Sequence, residues 1–252
     1  MQRPRITLHI LTSLDGRITG DFSQLPASKQ AGNTFRRLGF DDVDPQGWKF
    51  DGWLYGRVTS EGYFTKGHQP VLQHNAQPVE IGDFITGLGA SKYYIAFDRN
   101  GVLGWTKPTT AYEGYQANII ELLTNQASNE YKAYLRQLKI PYLLCGESDI
   151  DIGVALTKLR LLFGLKHLML GGGGILNWSF LEQGYFDDIS LIVAPAVDGR
   201  LDTARLFNAQ FDRHTRPIGF KLKSATVIDE NTLWLRYQIT HSSEQNQLRL
   251  SK

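Results

Sequence analysis

The stretch IGVALTKLRLLFGLKHLMLGGGGILNWSFL, residues 152–181, decides the fold of this chain. Residues 152–163 place apolar side chains at helical spacing, and Gly164 is a common residue at a helix end. A short apolar strand follows at His167–Leu170, then four glycines, then a segment at Ile175–Leu181 that predicts a second helix. A helix, a buried strand and another helix in close succession are typical of an α/β protein.

The alternation of strand and helix extends over the rest of the chain and ends in strands. We expect a single domain over residues 1–252 with a core at about 5–240, because no linker or repeat divides the chain. The order predicts a three-layer α/β/α fold, with a mostly parallel central sheet and an antiparallel C-terminal edge. The other predicted strands are Ile6–Leu11, Phe50–Gly56, Tyr93–Phe97, Asn118–Leu123, Ile140–Leu144, Ile189–Ala194, Leu222–Ile228 and Leu233–Ile239, and the other helices are Ser28–Leu38, capped by Ser28, and Asn129–Leu138.

Composition excludes several classes of protein. Hydrophobic residues make up 42% of the chain and charged residues 21%, which is an ordinary globular mixture. One cysteine cannot form an internal disulfide, and the histidines show no paired ligand spacing, so we expect no metal and a cytoplasmic location. A net charge of +2 is too small to attract nucleic acid electrostatically, so no nucleic-acid partner is expected. No apolar run reaches the length of a membrane helix, so no membrane partner is expected either.

The glycine run Gly171–Gly174 is the strongest local signal for a binding site. It lies between an apolar strand and a helix, where bare backbone and a helix N-terminus can approach a pyrophosphate. The alternative is a tight turn without a ligand. A Walker loop requires a Lys-Ser or Lys-Thr pair after its glycines, and neither pair follows here. The run also comes too late in the chain for a Rossmann fingerprint.

Further polar residues follow other predicted strands. Gly56 ends the second strand and Arg57 and Thr59 follow it, whereas Asp98 and Arg99 follow another strand. An arginine in such a place is either a phosphate ligand or one member of a surface ion pair. Ligands of open α/β sheets bind at the carboxyl ends of the strands, so these residues and the glycine run are expected at one edge.

The loop Thr12–Ile18 leaves the first strand at the same predicted edge. Asp15 and Arg17 are candidates for groups that face the reacting centre. The alternative for Asp15 is an Asx turn, in which its carboxylate accepts hydrogen bonds from nearby amides while Gly16 takes a positive φ.

Taken together, these segments resemble one known family. The loop Thr12–Ile18, the segment Gly56–Thr59, and Leu170–Trp178 followed by Glu182–Asp188 and Ala194-Pro195 are similar to the C-terminal reductase domain of the bifunctional riboflavin-biosynthesis deaminase/reductase, whose fold is like that of dihydrofolate reductase. The resemblance covers about residues 5–240 and implies reduction by hydride transfer from NADPH, usually by a homodimer.

The resemblance also implies roles for individual residues. The glycines Gly172–Gly174 would cradle the pyrophosphate, Arg57 and Thr59 would contact the cofactor phosphates, and Arg99 would add a contact to the 2′-phosphate. Thr12 and Ile18 would flank the nicotinamide, with Asp15 and Arg17 as the candidate catalytic residues. The full set of predicted cofactor contacts is Thr12, Gly16, Ile18, Gly56, Arg57, Thr59, Asp98, Arg99, Gly171, Gly172, Gly173, Gly174, Ile175 and Leu176.

The chain departs from the family on the substrate side. Gly171 stands where the family usually has Glu, Arg17 replaces a Lys, and Glu61–Gly67 replaces an Asp-Asp-Pro-x-Leu segment that holds the ribosyl phosphate. The resemblance therefore implies an NADPH-dependent reductase of a small heterocyclic or carbonyl substrate, similar to 5-amino-6-(5-phosphoribosylamino)uracil reductase but with a diverged pocket. Two alternatives remain: a non-catalytic NADPH- or nucleotide-binding sensor, and the riboflavin-pathway reductase itself.

Overall fold

Ten strands form one mixed sheet in the computed structural model, which describes residues 2–209 and 217–239. The strand order is β4-β5-β3-β2-β7-β1-β8-β10-β9, and β6 pairs with β5 beside β4. The strands are β1 (Arg5–Thr12), β2 (Gly52–Gly56), β3 (Tyr93–Phe97), β4 (Thr109–Tyr112), β5 (Tyr115–Leu123), β6 (Tyr142–Leu144), β7 (His167–Gly172), β8 (Asp188–Val193), β9 (Phe220–Ile228) and β10 (Thr232–Ile239).

Helices cover both faces of this sheet. Alternate side chains of a strand point to the same face of the sheet. Ile6 and Leu8 of β1 therefore lie on one face, in the apolar core that helices α4 and α5 cover. On the other face, Trp53 of β2 shares a core with Phe40 of α1 and Tyr131 of α3. The helices are α1 (Pro26–Phe40), α2 (Arg57–Thr59), α3 (Asn129–Gln137), α4 (Ile152–Phe163) and α5 (Gly174–Glu182), and a π-helical turn (Ser60–Phe64) follows α2.

The predicted fold class is confirmed. The pairs β1–β7, β1–β8, β2–β3, β2–β7, β3–β5 and β5–β6 are parallel, whereas β8, β10 and β9 pair antiparallel at the C-terminal edge. Gly164 ends α4 in the left-handed conformation at φ 72°, as predicted. The last residue of the expected core, 240, lies outside the described residues.

One local prediction is wrong, and one hairpin was not predicted. Helix α1 begins at Pro26, whose missing N–H suits the first helical position, and Ser28 lies inside the helix with a buried hydroxyl that has no partner among the described residues. The hairpin of β4 and β5 was not predicted, although Glu113 and Gly114 both take a positive φ between its strands. Two such residues form the tight turn that suits a two-residue hairpin, so this pair carried the signal.

No helix in the described part of the chain is long and apolar enough to span a membrane. The described residues also contain no group of three or more His, Cys, Asp or Glu side chains that would hold a metal ion.

Candidate functional site

The register of the parallel strands brings the predicted site loops to one edge of the sheet. Phe97 at the end of β3 lies opposite Gly56 at the end of β2, and Tyr55 lies opposite Gly172 of β7. On the other side of β7, β1 ends at Thr12 opposite Val193 of β8. Because all five strands run in the same direction, the segments that follow them meet at the carboxyl edge, as predicted.

The glycine run changes conformation from strand to helix within four residues. Gly171 and Gly172 still belong to β7, which is therefore longer than predicted, and Gly172 has φ 103°. Gly173 caps α5, and a Cβ atom on it would meet no atom within 4 Å. A Cβ on Gly174, in contrast, would lie 2.2 Å from the backbone oxygen of Arg205. The run is therefore packed at Gly174 and open at Gly173.

Helix α5 directs its N-terminus at this open position. Helix geometry leaves the N–H groups of Gly174, Ile175 and Leu176 without acceptors inside the helix, and the first turn has no acidic side chain. These groups and the helix dipole favour an anion. The Leu176 side chain lies beside the end of the neighbouring strand β2, since a Cβ placed on Gly56 would be 3.8 Å from it.

Arg57 and Thr59 lie one strand away from the glycine run, on the short helix α2. The Arg57 guanidinium is half-exposed and donates a hydrogen bond of 2.6 Å to the Glu61 carboxylate. An exposed ion pair of this kind contributes little to stability, so the guanidinium is free to turn toward a phosphate. The ion-pair alternative and the phosphate role are therefore compatible.

Asp98 and Arg99 differ in their accessibility. The Asp98 carboxylate is fully buried and accepts hydrogen bonds from the backbone N–H groups of Val102 at 2.6 Å and Leu103 at 2.8 Å. Burial raises its pKa above the ordinary value. The side chain points into the protein, where it binds the backbone of the following loop. It therefore does not face a cofactor at the sheet edge, in contrast to the prediction. Arg99 is exposed and pairs with Asp149 at 2.5 Å.

The Asp15 carboxylate orders the loop after β1. It accepts a hydrogen bond of 2.5 Å from the Ser13 hydroxyl and bonds of 3.1 and 3.0 Å from the backbone N–H groups of Asp198 and Gly199. These donors hold its pKa well below the ordinary range. Gly16 has φ 75°, as the Asx-turn alternative requires. The Arg17 N–H, however, donates to the Ser13 hydroxyl at 2.9 Å, and the amides that bind Asp15 belong to residues 198 and 199, so no Asx turn forms. The catalytic role of Asp15 stays a prediction.

Arg17 is buried against the same loop. Its Nη1 donates to the backbone oxygen of Thr203 at 3.0 Å, and its Nε lies 3.6 Å from the Asp15 carboxylate. Thr12 is buried at the end of β1, and the side chain of Ile18 lies 3.6 Å from the position of a Cβ on Gly172. Ile18 therefore lies beside the glycine run, where the resemblance puts a neighbour of the nicotinamide.

Sequence reasoning missed the segment 203–208 and Asn177, which tie the two loops together. Leu206 N–H donates to the Gly16 oxygen at 2.9 Å, and Asn208 N–H donates to the Gly174 oxygen at 3.0 Å. The buried Asn177 amide donates to the Leu206 oxygen at 2.8 Å. An asparagine inside a predicted apolar helix was the available signal, since a buried amide needs a partner.

Comparisons with known proteins agree with this architecture. The family model described as the RibD C-terminal domain matches residues 107–234, which include the glycine run but neither the Asp15 nor the Arg57 loop. A pyrimidine reductase-like protein of Corynebacterium diphtheriae has a similar structure, with a TM-score of 0.63 at 15% identity, over 95% of this chain and 93% of that one.

Two curated relatives are similar over part of the sequence. Both are named 2,5-diamino-6-ribosylamino-4(3H)-pyrimidinone 5′-phosphate reductase. The protein from Methanothermobacter thermautotrophicus is 28% identical over 112 residues, which is 44% of this chain and 51% of that protein. The protein from Aquifex aeolicus is 30% identical over 84 residues, which is 33% of this chain and 37% of that protein. The chain thus spans about half the length of the first relative and over a third of the second.

Proposed function

Because the chain belongs to the RibD C-terminal domain family, we propose that it is a reductase that transfers a hydride from NADPH to a small heterocyclic or carbonyl substrate. The printed names of the curated relatives support reductase chemistry on a pyrimidinone phosphate. The departures at Gly171, Arg17 and Glu61–Gly67 support a substrate pocket that differs from theirs.

The observation that carries the proposal is the open backbone at Gly173. A cradle for a pyrophosphate needs backbone without a side chain, N–H groups and positive charge. Gly173 has free space where a Cβ would stand, α5 contributes its N-terminus, and Arg57 lies after the adjacent strand. A turn without a ligand does not require that combination.

Different residues at this edge of the sheet would contact different parts of NADPH. Gly172–Gly174 would hold the pyrophosphate, Arg57 and Thr59 the cofactor phosphates, and Arg99 the 2′-phosphate. Thr12 and Ile18 would flank the nicotinamide and hold it toward the substrate. When bound, NADPH would supply the hydride, and the protein would supply binding and orientation.

Reduction by hydride transfer also needs a proton, and Asp15 and Arg17 are the predicted candidates for its donor. The depressed pKa of Asp15 keeps its carboxylate ionised near neutral pH, so it carries no proton to donate. A guanidinium does not release its proton in a protein. We therefore propose that Asp15 and Arg17 hold the loop, and that water delivers the proton.

Calorimetric titration with NADPH and NADH tests this proposal. We expect micromolar binding of NADPH and about tenfold weaker binding of NADH, a difference of about 1.4 kcal/mol. Gly173→Val should abolish binding because its side chain fills the cradle. Gly62→Val, in the turn after α2, is the control for an added side chain, since Gly62 also has open space around it and is not among the predicted cofactor contacts. Failure of the wild-type protein to bind either nucleotide would leave the glycine run as a plain turn.

A second candidate is a sensor that binds NADPH without turning over a substrate. It is favoured by Tyr55, whose ring occupies the space beside Gly171 where the family usually has Glu. An enzyme should oxidise NADPH with at least one member of a panel of carbonyl compounds and pterins, whereas a sensor should bind and remain silent. Rescue of a reductase-deficient riboflavin auxotroph would identify the riboflavin-pathway reductase itself. The expected homodimer and cytoplasmic location stay predictions.

A further inference from the structure

Two carboxyl groups are buried close to each other, against the Tyr131 hydroxyl of α3. Glu121 of β5 and Asp98, which follows β3, have no exposed surface, and Tyr131 lies within hydrogen-bonding distance of both. Neither carboxyl group forms an ion pair within the described part of the chain. Burying a charge without a cation is costly, and two like charges at one site add repulsion. One proton shared by the pair avoids both costs.

The hydrogen bonds of Asp98 assign the negative charge to it. Its Oδ2 accepts from the backbone N–H groups of Val102 and Leu103, at 2.6 and 2.8 Å, and such donors favour the ionised form. A proton on its other oxygen, Oδ1, would find no acceptor among the described residues. Glu121, in contrast, accepts from the indole N–H of Trp105. The shared proton therefore belongs on Glu121.

The Tyr131 hydroxyl leads to the same assignment. Its oxygen lies 2.9 Å from the backbone oxygen of Leu103 and 3.1 Å from each carboxyl oxygen of Glu121. A phenol has one proton to donate, and the shortest contact gives it to Leu103. A protonated Glu121 then donates from Oε2 to the Tyr131 oxygen, so every group in the chain of hydrogen bonds has a partner. An ionised Glu121 would leave Oε2 without a donor.

The titratable groups around Glu121 include no cation. Tyr94 of β3 and Tyr131 and Tyr134 of α3 interact with its charge, as does Asp98. Burial, and after it the charge of Asp98, raises the pKa of Glu121 well above the ordinary value. The direction of this change agrees with the count of donors and acceptors.

The loop of residues 98–105 is tied to this network at both ends. Asp98 begins the loop and Trp105 ends it, and the side chains of both residues belong to the network. Between them lies Arg99, whose guanidinium is exposed. A change in the network therefore acts on the loop that presents Arg99 at the carboxyl edge of the sheet.

We propose that Glu121 is a positioning residue that keeps its proton in the folded protein, and that this proton fixes the loop of residues 98–105 and, with it, Arg99. The role of Arg99 rests on the proposed binding of NADPH, whereas the proton on Glu121 does not. Ionisation of Glu121 would place a second negative charge beside Asp98 and remove the donor to Tyr131.

Urea denaturation at about pH 5.5, 6.5 and 7.5 tests the proton. Glu121 ionises near its ordinary pKa of 4.5 in the unfolded chain but keeps its proton in the native state. The folding constant of the wild type should therefore fall about tenfold per pH unit relative to Glu121→Gln. The glutamine amide makes the same hydrogen bonds and does not titrate. Glu147→Gln removes an exposed carboxyl group and should follow the wild type.

Two results overturn the proton assignment. One is a pair of parallel curves for the wild type and Glu121→Gln. The other is loss of the slope in Asp98→Asn but not in Glu121→Gln, which would put the proton on Asp98. Infrared spectroscopy at neutral pH gives a second measurement, in which the wild type should show the carbonyl band of a protonated carboxylic acid and Glu121→Gln should not. Absence of that band from the wild type overturns the assignment even if a variant does not fold.

Hydrogen exchange and NADPH titration test the positioning. Glu121→Leu fills the space without hydrogen bonds, so we expect about tenfold faster exchange at the Val102 and Leu103 amides and a smaller preference for NADPH over NADH. Glu121→Gln should keep both at the wild-type level. Unchanged exchange in Glu121→Leu overturns the positioning role. Failure of the wild type to bind NADPH overturns the proposed function alone, because the stability and exchange results still decide the role of Glu121.

Discussion

The ring of Tyr55 occupies the space that a side chain at position 171 would need. A Cβ atom on Gly171 would lie 2.3 Å from two carbon atoms of that ring and 2.5 Å from its hydroxyl oxygen. Tyr55 is buried, and burial raises the pKa of its phenol well above the ordinary value. Gly171 and Tyr55 therefore pack as a pair: the Tyr55 ring of β2 fills the space that a side chain at position 171 of β7 would occupy.

Gly171→Ala should destabilise the protein, because the added methyl group overlaps the Tyr55 ring. We expect a loss of about 1–3 kcal/mol in the free energy of unfolding, which is typical of an overpacked core. Urea denaturation measures it. In a Tyr55→Leu background, whose side chain has no ring, the same substitution should cost markedly less. Equal costs in the two backgrounds would show that the ring is not what excludes a side chain.

Arg57→Ala should weaken NADPH more than NADH if its guanidinium binds the phosphate that distinguishes the two cofactors. We expect about a tenfold loss for NADPH, which corresponds to about 1.4 kcal/mol. Arg36→Ala is the control, because Arg36 also belongs to a half-exposed ion pair but lies on α1, outside the cofactor edge. Equal losses for both nucleotides in Arg57→Ala would assign its guanidinium to the shared pyrophosphate and leave the 2′-phosphate to Arg99.

His9 should make stability depend on pH. Its ring is fully buried on β1, where Nε2 donates to the Phe35 oxygen and Nδ1 accepts from the Ser190 hydroxyl, each at 2.8 Å. Burial lowers its pKa from 6.5 to about 4. The unfolded chain therefore binds this proton first as the pH falls, so the contribution of His9 is complete above pH 6.5 and lost toward pH 4.

The loss from this one group should approach about 3 kcal/mol over that window. Urea denaturation at a series of pH values measures it in the wild type and in His9→Gln, which keeps a donor for the Phe35 oxygen but does not titrate. The carboxylates titrate in both proteins, so the difference between the two curves isolates His9. Parallel curves for the two proteins would contradict the prediction.

Asp15→Asn should loosen the loop after β1 without disturbing the core. The amide nitrogen cannot accept a hydrogen bond, so at least one of the bonds from Ser13, Asp198 and Gly199 is lost. We expect faster hydrogen exchange at the Asp198 and Gly199 amides and unchanged exchange in β1. Asp149→Asn is the control, since Asp149 is an exposed acid paired with Arg99. Unchanged protection of both amides would show that the Asp15 carboxylate does not hold this loop.

Much of the fold and the general place of the site could be predicted from local signals. Helical spacing and Gly164 set the limits of α4, because these features act within one turn of chain. The alternation of strand and helix required parallel neighbours, and parallel strands put the Thr12, Arg57 and Gly171–Gly174 segments at one edge.

Side-chain orientation required the tertiary structure. Asp98 follows β3 as expected, yet its carboxylate turns inward because the N–H groups of Val102 and Leu103 are there to bind it. The match between Tyr55 and Gly171 joins residues 116 positions apart in the chain, and the segment at Leu206 meets Gly16 and Asn177 in the same way. The sequence by itself determined which elements form and which of their ends share an edge, since backbone periodicity is local. Only the tertiary structure decided which side chains fill or leave the space at that edge, because packing depends on residues that are distant in the chain.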